Sequence, residues 1–165
     1  MSPSPFWRVA PVLILAHALQ TTWFAAPFLG IGRADLPFLV ALSAAMLGGK
    51  EMGLLAGIGA GILGGLGAAW HPGSFLVSRA LPPVLLGSLV GRFSVFHPVA
   101  PPLCAFVLSW VSAALFALMS PSDFSLSWWT HHALGAGVAN ALLMWPVFGI
   151  VMRLVKPPQR SLFTT

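Results

Sequence analysis

Apolar residues run in long stretches along this chain, and polar residues gather in short clusters between them. Cutting at charges, prolines and polar clusters leaves six apolar segments: about Trp7 to Ala26, Ala34 to Gly49, Glu51 to Trp70, Phe75 to Gly91, Val99 to Met119 and Thr130 to Val155. Most approach the roughly 20 residues that cross a bilayer as a helix, the second being short. None alternates apolar and polar residues over about ten positions, as strands of a membrane barrel do. The pattern predicts an all-α integral membrane protein, a single multi-pass domain of six transmembrane helices over residues 1–165. "GGKE" (Gly48 to Glu51) predicts a tight turn and "HPGS" (His71 to Ser74) a break. Pro82-Pro83 removes two backbone donors and predicts a kink or split in the fourth segment.

Composition agrees. Of 165 residues, 58% are hydrophobic and only 7% charged, against roughly 25% charged in soluble domains. Lipid is the expected solvent. The net charge of +5 comes from scattered Lys and Arg with no basic run, so nucleic acid is not an expected partner and the cations read as orientation signals. With six spans, Arg8, Lys50, Arg92, Arg153, Lys156 and Arg160 share one side, while Arg33 and Arg79 lie on the other beside Asp35 and Asp123. That asymmetry places both termini in the cytoplasm. Trp7, Trp23, Trp70, Trp128 and Trp129 fall near segment ends, as an aromatic belt does. The first segment lacks a small-residue cleavage site and reads as an uncleaved span. The single cysteine, Cys104, forms no internal disulfide.

The stretch "GLLAGIGAGILGGLGAAW" contains "GAGILG", a match to the dinucleotide fingerprint. A nucleotide site needs a preceding strand and an acidic residue about 20 positions on, and neither is present. Linkers are polar, whereas this run interleaves glycine with Leu and Ile. On a helix, Gly53, Gly57, Gly61 and Gly65 form one small row. Ala56, Ala60, Gly64 and Ala68 form a second about 60° away, and Leu54, Ile58, Ile62 and Leu66 form a bulky row elsewhere. Small faces let helix backbones approach in lipid. Gly53, Gly57, Gly61, Gly65, Ala60 and Gly64 are therefore candidate helix-packing or partner-interface residues, against another helix of this chain or against another protein.

Reactive chemistry has little to work with. Asp35, Glu51 and Asp123 sit at segment ends, and no HExxH, GxSxG or CxxC occurs. His131-His132 point about 100° apart on a helix and lack further ligands. No catalytic, cofactor-binding or metal-binding residue is expected, nor an ion path with paired intramembrane charges. His17, Gln20, Ser109, Ser112 and Asn140 are the intramembrane polar groups. Of these, Asn140 and His17 are candidates for an interhelical polar contact or a cavity wall.

The order of features resembles the rod shape-determining MreD family. "RADLPFLVALSAAMLGGKEMGLLAGIGAGILGGL" (Arg33 to Leu66) carries the likeness, followed by "SRALPPVLLGSLVGRF" and the last span "GVANALLMWPVFGIVMRL" with its Asn, Pro and basic end. Many members place an acidic residue at the end of the glycine-laddered helix, and Gly64 to Ala69 hold none. The resemblance implies a non-enzymatic scaffold in the bacterial cytoplasmic (inner) membrane, belonging to the elongasome that links cell shape to peptidoglycan synthesis. It implies MreC, directly or indirectly MreB, and wall-synthesis enzymes as partners, besides membrane lipids; a homo-oligomer stays open. It also implies a bundle like that of S-components, the substrate-binding subunits of energy-coupling-factor vitamin transporters. Such a subunit is the alternative function.

Overall fold

In the computed structural model, residues 6–27, 32–66, 71–92, 96–120 and 125–155 are described. Trp70, Asp123, Lys156 and Arg160, Ala68 of the second small row, and the side chain of Trp128 lie outside them. All elements are helical: α1 (Phe6–Thr22), α2 (Leu36–Leu66), α3 (Pro72–Leu89), closed by a 3-10 turn (Val90–Arg92), α4 (Ala100–Met119) and α5 (Leu126–Leu154). Four stretches, Leu36–Leu66, Pro72–Arg92, Ala100–Met119 and Trp129–Leu154, are long and apolar enough to cross a membrane. By length and composition this is a multi-pass α-helical membrane protein.

The expected count of six spans is corrected to four among five helices. The helix α1 ends at Thr22 and has 17 residues, short of the roughly 20 of a spanning helix. The second and third segments are joined in α2, with one non-helical residue, Gly49 (φ 76, ψ −163), between them. In an unbroken helix residues 45 and 53 would lie about 12 Å apart along the axis. Here a Cβ at Gly53 would stand 2.9 Å from the Ala45 Cβ. The chain therefore folds back at Gly49 into two arms, 36–48 and 50–66. Glycine suits the position because a side chain is strained at positive φ.

Every residue from Leu36 to Met46 is buried. A helix apolar on all sides is a central one, and this arm is enclosed by α1, the second arm and α5. The outer helices reverse the soluble pattern: α4 buries Pro101, Ala105, Ser109 and Ser112 and exposes Leu103, Val107 and Leu118. Small and polar groups face the bundle and large apolar ones face outward, as lipid solvation requires.

The second arm of α2 and α3 run antiparallel in a register that advances four residues at a time. A Cβ on Gly53 would fall 2.6 Å from the Pro83 carbonyl oxygen, one on Gly57 2.8 Å from Ala80 Cα, and one on Gly61 2.7 Å from Leu76 Cα. At the reversal, a Cβ on Gly87 would fall 2.6 Å from the Gly49 carbonyl carbon, and at the far end Gly65 meets Pro72 at 3.4 Å. The bulky row points away, with Leu54, Ile62 and Leu66 exposed.

The expected split at Pro82-Pro83 does not occur, and α3 is one helix through both prolines. Both are buried on the bundle side. Pro83 has no N–H to offer the Arg79 carbonyl. That oxygen lies 2.8 Å from the position a Gly57 Cβ would take, so a glycine Cα–H points at it instead, a weak compensating contact.

Candidate functional site

The first arm of α2 begins against the bundle, and its opening N–H groups have no intrahelical partner. Each finds a partner. Asp35 N–H donates to Asn140 Oδ1 at 2.8 Å and Leu36 N–H to Gln20 Oε1 at 2.8 Å. Pro37 has no donor. Phe38 N–H donates to Asp35 Oδ1 at 3.1 Å, which makes Asp35 the N-cap, and Leu39 N–H donates to the Asp35 carbonyl at 3.0 Å. Gly32 permits the approach, since a Cβ there would stand 2.1 Å from the Gly135 carbonyl carbon of α5.

The junction extends outward from these bonds. Asn140 Nδ2 donates to Ser109 Oγ at 2.8 Å, and Ser109 Oγ to the Ala105 carbonyl at 2.6 Å, tying α5 to α4. Asp35 Oδ2 pairs with an Arg79 terminal nitrogen at 2.6 Å, tying α2 to α3. The sequence placed Arg79 and Asp35 on the same side of the membrane, and the structure pairs them, both side chains keeping some exposure. Arg79 also donates to Ser78 Oγ at 3.2 Å and lies over the Phe75 ring, 4.7 Å from its centroid. Ser74 and Ser120, both buried, share a hydrogen bond of 2.8 Å between α3 and the end of α4.

These groups form the wall of a cavity of about 1190 Å³. It lies where α1 and α4 end and α2, α3 and α5 begin. Ala60 and Gly64 of the second small row form part of the wall, as do Asn140 and half-buried His17. Gly53, Gly57, Gly61 and Gly65 are not on it: α3 of the same chain covers that row. Exposed Arg33, His71, Ser125 and His132 stand at its rim. His71 is left-handed (φ 57, ψ 52) immediately before Pro72, a conformation costing about 1–2 kcal/mol outside glycine. Among the described residues, no three His, Cys, Asp or Glu side chains gather as metal ligands.

Sequence reasoning singled out Asn140 and His17 but not Gln20 as a cap, Arg79 as a cavity cation, or Gly32 and Gly135 as a contact. The signal for Gln20 was its place, a long polar side chain in the last turn of an apolar helix. No protein-family model, curated protein or solved structure matches this chain.

Proposed function

We propose that this chain is a non-enzymatic scaffold of the MreD type, acting in the bacterial inner membrane within the complex that links cell-shape proteins to peptidoglycan synthesis. One observation carries the reading. Two of the three stretches that hold the resemblance, Arg33 to Leu66 and Gly137 to Leu154, meet at the Asp35–Asn140 bond. Features that look like soft, separate motifs along the chain belong to one joint, which is how a shared architecture leaves a weak sequence trace. This reading takes the bundle around that joint as S-component-like. By the positive-inside rule, the end carrying Arg8, Lys50, Arg92 and Arg153 faces the cytoplasm, and the cavity end faces outward. MreC, wall-synthesis enzymes and, indirectly, MreB are the partners of this reading.

The test is affinity purification from cross-linked native membranes. An MreC-like protein and wall-synthesis enzymes are expected to accompany the chain, and depletion is expected to round rod-shaped cells. Recovery of the chain without them, and unchanged shape on depletion, would overturn the reading.

A specific observation favours a second function, a substrate-binding S-component of an energy-coupling-factor transporter. A cavity of about 1190 Å³ lined by Asn140, His17 and Trp129 matches or exceeds the roughly 300–1,000 Å³ of small-molecule sites. Native mass spectrometry of freshly purified protein is then expected to show a bound small molecule, and a repeatedly empty protein counts against it.

A further inference from the structure

Among the described residues, the charges on the cavity wall do not balance. Two guanidinium groups, Arg33 and Arg79, line it, and the only carboxylate among the described lining residues is Asp35. Asp35 is fully engaged, with one oxygen on Arg79 and the other on the Phe38 N–H. Arg33 donates from Nε and a terminal nitrogen to the Ala25 carbonyl, a neutral acceptor. Arg33, exposed at the rim, therefore has no carboxylate partner among the described residues.

The groups that would receive an anion are held ready. Phe75 and Ser78 fix the Arg79 guanidinium. Its Nε lies 3.5 Å from where a Cβ on Gly64 would be, so the missing side chain leaves that edge open. Ser112 is buried on the cavity wall and makes no hydrogen bond to protein among the described residues. Phe75 and Phe116 meet edge to face, 4.9 Å between centroids, and supply an aromatic surface on the same wall. Planar guanidinium groups bind carboxylate and phosphate oxygens through paired donors.

We propose that the cavity is a binding site for a small organic anion, a carboxylate or phosphate group on a flat apolar body. Arg33 and Arg79 take the anion, Ser112 adds a donor, and the Phe75–Phe116 surface takes the body. Asp35 competes with the ligand for Arg79. The polar rim of Arg33, His71 and Ser125 directs entry from the aqueous side. This deepens the second functional reading and rests on its cavity; the scaffold reading does not depend on it.

The test uses the full chain in phosphatidylcholine nanodiscs, with 2-naphthoate, phenyl phosphate and the neutral 2-naphthamide as calorimetric probes. The two anions are expected to bind at least tenfold more tightly than the amide. Arg33→Gln, at an exposed residue, is expected to weaken the anions about tenfold while leaving the unfolding temperature and amide binding unchanged. Asp35→Asn keeps the capping oxygen, frees Arg79 and is expected to tighten anion binding several-fold, a gain that a purely structural role for Asp35 would not produce. Repeating the titration with phosphatidylglycerol present separates the two sources: unchanged binding supports an aqueous anion, and competitive loss supports a lipid headgroup at the same anion site. Equal binding of acid and amide would overturn the anion proposal while leaving a ligand cavity in place. Binding of neither by protein with a native unfolding temperature would overturn both the proposal and the second reading.

Discussion

The backbone N–H of Asp35 donates to the side-chain oxygen of Asn140 across 105 residues of chain, at 2.8 Å. The first N–H groups of a helix have no intrahelical partner, and lipid offers none. Asn140 and Gln20 supply the missing acceptors from two other helices. The polar residues of the apolar spans thus answer a backbone requirement, and the joint they form is also the inner wall of the cavity.

Replacing Asn140 by Ala is expected to strand the Asp35 N–H and break the link to Ser109. The expected loss is about 1–2 kcal/mol, since single interhelical hydrogen bonds in membranes are modest and a stranded donor adds its own cost. Thermal unfolding in detergent measures it. A loss indistinguishable from zero would mean that water in the cavity replaces both bonds.

Gln20→Ala is expected to destabilise by a similar amount, whereas Gln20→Glu, which keeps an acceptor for the Leu36 N–H, is expected to lose less. The ordering of these two variants in the same unfolding assay checks the capping role. A larger loss in Gln20→Glu would contradict it.

The glycine rungs are expected to tolerate alanine unequally. At Gly57 and Gly61 a Cβ meets α3 backbone Cα atoms at 2.8 and 2.7 Å, and at Gly65 it meets ordinary contacts at 3.4 Å. Gly57→Ala and Gly61→Ala should each cost about 1–3 kcal/mol through overpacking, and Gly65→Ala should be close to neutral. Equal effects at all three positions would show that the α2–α3 register is different.

Asp35→Ala removes both the N-cap and the partner of Arg79, while Asp35→Asn removes only the charge pair. Loss of a cap costs about 1 kcal/mol. Both side chains of the ion pair keep some exposure, 19% for Arg79 and 23% for Asp35, so the pair contributes less than the about 3–5 kcal/mol lost on breaking a fully buried one. Asp35→Ala is expected to unfold at a lower temperature than Asp35→Asn, and the difference measures the cap.

The hydroxyls of Ser74 and Ser120 are buried against each other. Either single alanine change should cost about 1 kcal/mol by leaving a buried hydroxyl alone, and the double change should recover part of that loss because no orphan remains. Strict additivity in the double-mutant cycle would mean that the two hydroxyls do not depend on each other.

Much of this was legible in the chain. Runs of apolar residues separated by "GGKE" and "HPGS" dictated helices and reversals, because a segment without polar groups has lipid or protein interior as its only stable surroundings. The four-residue spacing of Gly53, Gly57 and Gly61 dictated a face on which a helix backbone comes close. The bulky row at Leu54, Ile62 and Leu66 had to face away from it. Local rules gave too much weight to Pro82-Pro83, and they did not disclose that the second and third segments join around Gly49 in one helical element.

What only the tertiary structure decided is which groups meet. The spacing of the glycines does not say that α3 of the same chain covers them. Nothing near Asp35 in sequence names Asn140 and Arg79 as its partners, or Gln20 as the partner of Leu36. Helical periodicity is local, recurring every turn, and a sequence displays it directly. The partners of this helix start come from three other helices, α1, α3 and α5, and packing alone determines which side chains reach the unsatisfied N–H groups. Packing likewise left two guanidiniums and one carboxylate among the described residues of one cavity wall, a grouping that no count of residues along the chain discloses.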